Sequence, residues 1–146
     1  MYTKKVEYFS IKDNQWSVAP EMNEERDLHS QCALGDCLYV FFGRNDDNLL
    51  NTIESLNAKN VINGVPESWL LIQLGSDIQP RRLTLASQID ENEIAILGGE
   101  DQNGRALDDI LRYDHTTDLW VATGRMSEPK KLHAVTRIAN VSTVCT

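Results

Sequence analysis

The chain has 146 residues, of which 41% are hydrophobic, 25% charged and 7% aromatic. This is enough to bury a core without disulfides or metals, and the apolar content excludes disorder along the whole chain. The longest apolar run, 37–42, is far short of the ~20 residues a membrane helix needs, and the net charge of −8 disfavours nucleic acid and anionic membranes as partners.

Met1-Tyr2-Thr3-Lys4-Lys5 leads into Val6-Glu7-Tyr8 rather than an apolar core, so no signal-peptide pattern is visible. The first β-prone segment is Val6–Ser10, followed by Trp16. Next come a mixed run 28–34, a Gly35-Asp36 turn and an apolar run ending at Gly43. A polar loop 44–51 precedes a strand over Thr52–Asn57, and Asn63-Gly64 marks a turn ahead of Trp69. The same order then recurs: 83–89, the turn Asp90-Glu91-Asn92, an apolar run ending in Gly98-Gly99, a polar loop, Asp109–Asp114 and Trp120. The chain closes on two further strand-length runs, the second near Val141–Cys145. Three cysteines, Cys32, Cys37 and Cys145, are an odd number and fit reduced thiols in a cytoplasmic protein. The last 28 residues carry Arg125, Lys130, Lys131 and Arg137 against Glu128 alone, so a local basic patch persists within an acidic chain.

The spacing is a repeat. Trp16, Trp69 and Trp120 are separated by 53 and 51 residues. Arg26 lies 17 residues before Gly43, and Arg82 lies 17 before Gly99. Met22 and Met126 each follow a tryptophan by six residues, and Arg26 and Lys130 each follow by ten. Each unit holds four short runs of strand length bounded by Asn, Asp and Gly. Runs such as 38–42 and 94–97 barely alternate, which implies burial on both faces. Four-stranded sheets buried on both faces and repeated every ~50 residues are propeller blades. No apolar period is long enough to predict a helix.

On Gly98-Gly99, Tyr113, Trp120 and Arg82 the sequence resembles the kelch repeats, whose motif pairs a diglycine with a later Tyr and Trp. In the neighbouring unit Phe42-Gly43 replaces the diglycine and Leu56 replaces the Tyr. The expected fold is an all-β, kelch-type β-propeller segment covering 1–146, of about three blades of four antiparallel strands. The expected division is strands three and four of one blade over 5–20, full blades over 26–74 and 82–124, and strands one and two of another over 131–146. Propellers close with 4–8 blades. The segment is therefore either an incomplete ring, completed by the remaining blades of a longer chain, or half of a six-bladed assembly of two copies.

Trp16, Trp69 and Trp120 are expected to fill wedges between blades, and Gly43, Gly98, Gly99 and Tyr113 to be structural. A phosphate-loop role for the glycines fails because no helix follows them. Arg26, Arg82 and Lys130 are read as equivalent. The resemblance implies that such cations ring a channel mouth and bind acidic peptides; alternatively each caps a strand or pairs with Glu24, Glu25 or Glu128. His29 and His133 are read as packing residues, replaced by Leu85 in the middle copy, and His115 as a solvated turn residue. Loop residues Arg44, Asn45, Asp46, Asp47, Asp101, Asn103 and Arg105 are candidate partner contacts. Asn140-Val141-Ser142 is a glycosylation sequon without weight in a chain that is not secreted. No nucleophile–base pair, metal cluster or cofactor site is visible, and Glu100–Gly104 lacks the ligand spacing of a calcium loop. The expected function is non-catalytic protein binding through propeller loops, in scaffolding of the cytoskeleton or in substrate capture for ubiquitin ligases. Ligase adaptors carry a separate BTB domain, which these residues do not contain. The alternative implied by relatives of this family is a metabolite enzyme or metal-dependent oxidase.

Overall fold

The computed structural model describes residues 2–46, 48–132, 134–138 and 141–145, the last two ranges as backbone. Asp47, His133 and Asn140 lie outside the described residues, as does the side chain of Cys145.

β1 (Val6–Ser10) and β2 (Gln15–Ala19) form a two-stranded antiparallel sheet. β3 (Ser30–Leu34) and β4 (Cys37–Phe41) follow, then a small hairpin of β5 (Arg44–Asn45) and β6 (Asn48–Leu49). β7 (Thr52–Asn57) and β8 (Leu70–Gln73) complete a four-stranded sheet in the order β3-β4-β7-β8. β9 (Leu85–Gln88), β10 (Glu93–Leu97), β11 (Asp109–Asp114) and β12 (Leu119–Arg125) form a second such sheet, also in sequence order. β13 (Ala134–Ile138) and β14 (Val141–Cys145) form another two-stranded pair. All the strand pairings are antiparallel. β3, β9 and β13, the first strands of successive sheets, lie side by side, so the sheets fan outward from a common inner edge. This is an all-β arc of propeller type.

The apolar runs without alternation occupy the middle of the sheets. Phe41, Ile53, Ile94 and Ile96 are fully buried, each contributing about 1.5–3 kcal/mol of burial. One cluster, including Tyr39, Phe41, Ile53, Ile94, Ile96, Leu111 and Tyr113, fills the gap between the two complete sheets. A smaller cluster of Met22, Val40, Leu56 and Trp69 joins β1-β2 to the first complete sheet.

Three features depart from the sequence reading. The extra residues before Trp69 hold a one-turn helix, α1 (Ala58–Ile62), capped by the Asn57 side chain, which accepts from Asn60 N at 3.0 Å. Five residues are too few to produce a detectable period. The inner strands begin two residues later than expected, at Ser30 and Leu85, because Leu28 (φ 52) and Leu83 (φ 57) are left-handed. Leu132 repeats this conformation at φ 54. Finally, Arg82 is not the counterpart of Arg26. Gly43 N donates to Arg81 O and Gly99 N to Lys130 O, and the left-handed leucines stand two residues after Arg26, Arg81 and Lys130. The repeat therefore aligns Arg26, Arg81 and Lys130, and places Thr84 rather than Leu85 opposite His29. The turn 90–92 is one residue longer than Gly35-Asp36, which accounts for the slip.

Gly98 (φ 55) and Gly99 (φ 102) sit where neighbouring backbone passes close by. Phe42 (φ 56) follows the same path as Gly98, so the missing diglycine does not alter the bend. At Gly99 a Cβ would meet Arg82 O at 2.7 Å and Thr84 Cγ2 at 2.6 Å. Gly99→Ala is expected to cost about 1–3 kcal/mol from backbone conformation alone, with a further loss from the clash, read by urea denaturation.

Candidate functional site

The cations expected at the channel mouth divide into two sets. Arg26 is 1% exposed: Nη1 donates to Phe42 O at 2.8 Å and Nη2 to Glu54 Oε1 at 2.7 Å. Arg81 repeats the arrangement, donating to Gly98 O at 3.3 Å and through two nitrogens to Asp109 at 2.6 and 2.8 Å. Both guanidiniums tie the end of a second strand to an acid on the third strand. Glu54 is itself buried and accepts from Asn23 N, Asn23 Nδ2 and Glu24 N. Lys130, largely buried, stands 3.7 Å from Glu128. Arg26 Nη2 also donates to Glu24 Oε2 at 3.1 Å, so the buried guanidinium, held on two acids, is an internal tie rather than a surface cation.

The next residue in each unit reaches the surface. Asp27 and Arg44 exchange backbone hydrogen bonds at 3.0 Å, and Arg44 Nε donates to Asp27 Oδ1 at 2.9 Å. Arg82 and Glu100 make the same backbone pairing, and Arg82 Nε donates to Glu100 Oε1 at 2.9 Å. The signs are reversed between the two sheets: acid then base in the first, base then acid in the second. Lys131, at the corresponding position of the third unit, pairs with the other oxygen of Glu100. Arg44 also lies 5.6 Å from the Tyr2 ring centroid, a cation–π distance.

Between these pairs a cleft of about 160 Å³ is lined by Arg44, Asp46, Leu49, Arg82 and Gln102. Two arginines from successive repeat units therefore line one depression with a single leucine in its wall. Tyr2 Oη donates to Asp46 O and steadies the β5–β6 tip. In the neighbouring loop Asp101 is 6% exposed, and its Oδ1 accepts from Asn103 N at 2.8 Å and Arg105 N at 3.0 Å. Asp101 therefore shapes its loop, while Asn103 and Arg105 are exposed. Gln102 and Leu49 escaped the sequence reading because neither residue type carries a distinctive signal in a polar loop.

The tryptophans differ. Trp69 is buried and donates Nε1–H to Pro20 O at 2.8 Å. Trp120 stacks on Tyr113 at 5.1 Å and meets Phe41 and Phe42 of the neighbouring sheet edge-on at 6.1 and 6.2 Å. Trp16 is 69% exposed and touches Phe9 at 5.4 Å. Tyr113 donates its hydroxyl to Asp118 at 2.7 Å, and burial, then this bond, pushes the phenol far above its ordinary range. Among the described residues no group of three or more His, Cys, Asp or Glu could hold a metal. No helix of the described residues is long and apolar enough to cross a membrane.

Breaking the buried tie leaves a guanidinium without its acid. Glu54→Ala is expected to lose about 3–5 kcal/mol of stability by urea denaturation, and Lys59→Ala, removing an exposed pair, less than about 1 kcal/mol. Two groups give stability a pH dependence of one sign. Burial, with the Arg26 charge, lowers the His29 pKa, so its neutral form is favoured in the fold. That contribution is complete above the unfolded value of about 6.5 and declines as pH falls through it. Hydrogen bonds from Lys131 and then Arg82 lower the Glu100 pKa, a contribution complete above about 4.3 and lost on further acidification. Stability is expected to fall from about pH 7 downward, and His29→Thr, which installs the residue of the middle copy, should flatten the upper part of that curve.

No family model matches the chain. It is 27% identical to Kelch-like protein 36 of Bos taurus over 122 residues, which are 83% of this chain and 18% of that protein. The Rattus norvegicus Kelch-like protein 36 is 25% identical over 128 residues, 87% of this chain and 19% of the relative. A shorter stretch of 54 residues, 37% of the chain, is 39% identical to human Kelch-like protein 4 and covers 8% of it. The chain spans about a fifth of the length of the curated relatives it matches over most of its residues. Successive four-stranded sheets, a diglycine bend, a Tyr–Trp stack and these similarities agree: the chain is similar to the kelch-repeat proteins in sequence and in fold.

Proposed function

We propose that the chain is a non-catalytic protein-interaction module that grips an acidic segment of a protein partner on its loop face. The reading rests on one observation, the convergence of Arg44 and Arg82 from successive repeat units on a single cleft. Guanidinium forks bind carboxylates bidentately, and the Glu100 bonds use only Nε and Nη2 of Arg82. Leu49 supplies a small apolar wall and Asp46 an acid beside it, and Asn103 and Arg105, exposed on the neighbouring loop, are further candidate contacts. The cation set differs from that expected in the sequence: Arg44 and Arg82 with Lys131 behind them, rather than Arg26, Arg82 and Lys130. Substrate capture for a ubiquitin ligase and cytoskeletal scaffolding in the cytoplasm are both settings for such a module. The open ends of the arc are filled by further blades, from a longer chain or from a second copy.

An array of ten-residue peptides rich in Glu and Asp, printed beside their Gln and Asn counterparts, tests the grip. The chain should retain the acidic set, and Arg44→Gln combined with Arg82→Gln should weaken retention at least tenfold, about 1.4 kcal/mol. Raising salt should reproduce part of the loss. Equal retention of acidic and amide peptides would overturn the reading.

A further inference from the structure

We propose that one repeat position, held in turn by Tyr2, Leu49 and Ala106, selects the side chain that accompanies a bound acid. By this selection Leu49 makes the Arg44–Arg82 cleft prefer an acid flanked by an aliphatic residue. The inference rests on the acid grip proposed above and names the chemistry of the segment it holds.

Main-chain bonds make the three residues equivalent. Lys4 O accepts from Met22 N at 2.9 Å, Asn51 O from Leu74 N at 3.1 Å and Asp108 O from Met126 N at 2.6 Å. In each unit a carbonyl just ahead of the third strand thereby holds the segment that follows the fourth. The N–H one residue earlier, of Leu50 or Leu107, donates to Gly43 O or Gly99 O at 2.9 Å in both complete sheets. Tyr2, Leu49 and Ala106 each stand two residues before the carbonyl, and all three are half-buried. The backbone therefore fixes the position while leaving the size of the side chain open.

Three sizes give three surroundings. Tyr2 lays its ring beside Arg44, 5.6 Å from centroid to guanidinium carbon, and its Oη donates to Asp46 O. Leu49 enters the cleft of about 160 Å³ with Arg44 and Arg82. Ala106 lines a depression of about 340 Å³ with Arg105 and Arg125. The alanine thus faces a larger space than the leucine, and an arginine accompanies the position every time.

Leu49 has the strongest hold on its ligand. It lies directly opposite Arg44 in the β5–β6 hairpin, so the two side chains share a face of that ribbon and keep a fixed separation. The rest of the cleft wall is polar: Asp46, Arg82 and Gln102. An acid held by the two arginines sets its neighbour against the one apolar side chain present. An aliphatic neighbour removes apolar surface from water there, glycine leaves Leu49 wet, and a polar neighbour gives up hydration without a partner. Asp46 repels a second acid at the same place.

An array of peptides with one fixed Glu, its neighbour varied among Leu, Val, Gly, Ser and Glu, tests the selection when each is printed again with Gln for the fixed Glu. The chain should retain Glu-Leu and Glu-Val peptides at least about fivefold better than Glu-Gly and Glu-Glu. Leu49→Ala should bring them within about twofold while keeping the preference for Glu over Gln. Leu49→Tyr, which fills the cleft, should turn the order toward Gly. Leu70→Ala, which removes a leucine 61% exposed on the outer strand β8, should change neither ratio. An aliphatic preference that survives either change at position 49, or falls equally with Leu70→Ala, overturns the selection, as does acid-dependent retention with no flanking preference in the parent chain; the grip then stands alone. Equal retention of Glu and Gln peptides sinks the grip and the selection together.

Discussion

A buried cation holding a backbone carbonyl is the interaction on which this arc depends. At the end of each second strand the chain turns through a left-handed residue, Phe42 or Gly98, and its carbonyl turns inward. Water cannot reach it, so a donor must be supplied from the protein. Arg26 and Arg81 supply it, and each is long enough to reach an acid on the third strand as well. One side chain thereby fixes the relative height of three strands. The cost of burying the charge is offset because each guanidinium meets both an acid and a carbonyl. Glu54 extends the tie into the segment leading from β2, through Asn23 and Glu24. The surface pairs one residue further on inherit their positions from these ties.

The overall plan was legible because burial repeats with the blade. Trp, Met, the Gly bend and the apolar runs recur at fixed spacing, and the structure turns them into successive sheets. What escaped the sequence reading was local. A turn of three residues instead of two moved the counterpart of Arg26 from Arg82 to Arg81, and the glycine spacing concealed it. Pro80-Arg81-Arg82-Leu83 beside Pro129-Lys130-Lys131-Leu132 holds the correction, because proline stands immediately before the buried cation in both. The division between buried and surface cations is not legible at all, since two adjacent arginines look alike until one has an acid beneath it.

The aromatic residues show a related limit. Trp69 and Trp120 occupy one position of the repeat but solve it differently, one through a hydrogen bond to Pro20 and one through three ring contacts. The difference lies in the preceding sheet, which presents a proline carbonyl to the first and two phenylalanines to the second. Position in the repeat specifies that a large ring is needed. The neighbour decides what the ring touches, and Trp16, in contact with Phe9 of its own sheet, has no preceding sheet among the described residues to decide it.

The reversal of sign between Asp27–Arg44 and Arg82–Glu100 has a meaning for identity rather than strength. The first pair is partly exposed and contributes little to stability on its own, whereas in the second Glu100 is buried and shared with Lys131. But the two sheets are close copies, and either leading strand could in principle meet either loop. Swapping them would set Arg82 against Arg44 and Asp27 against Glu100, two repulsions in place of two attractions. The charges act as a lock and key between repeats, making each blade fit one place in the order and no other.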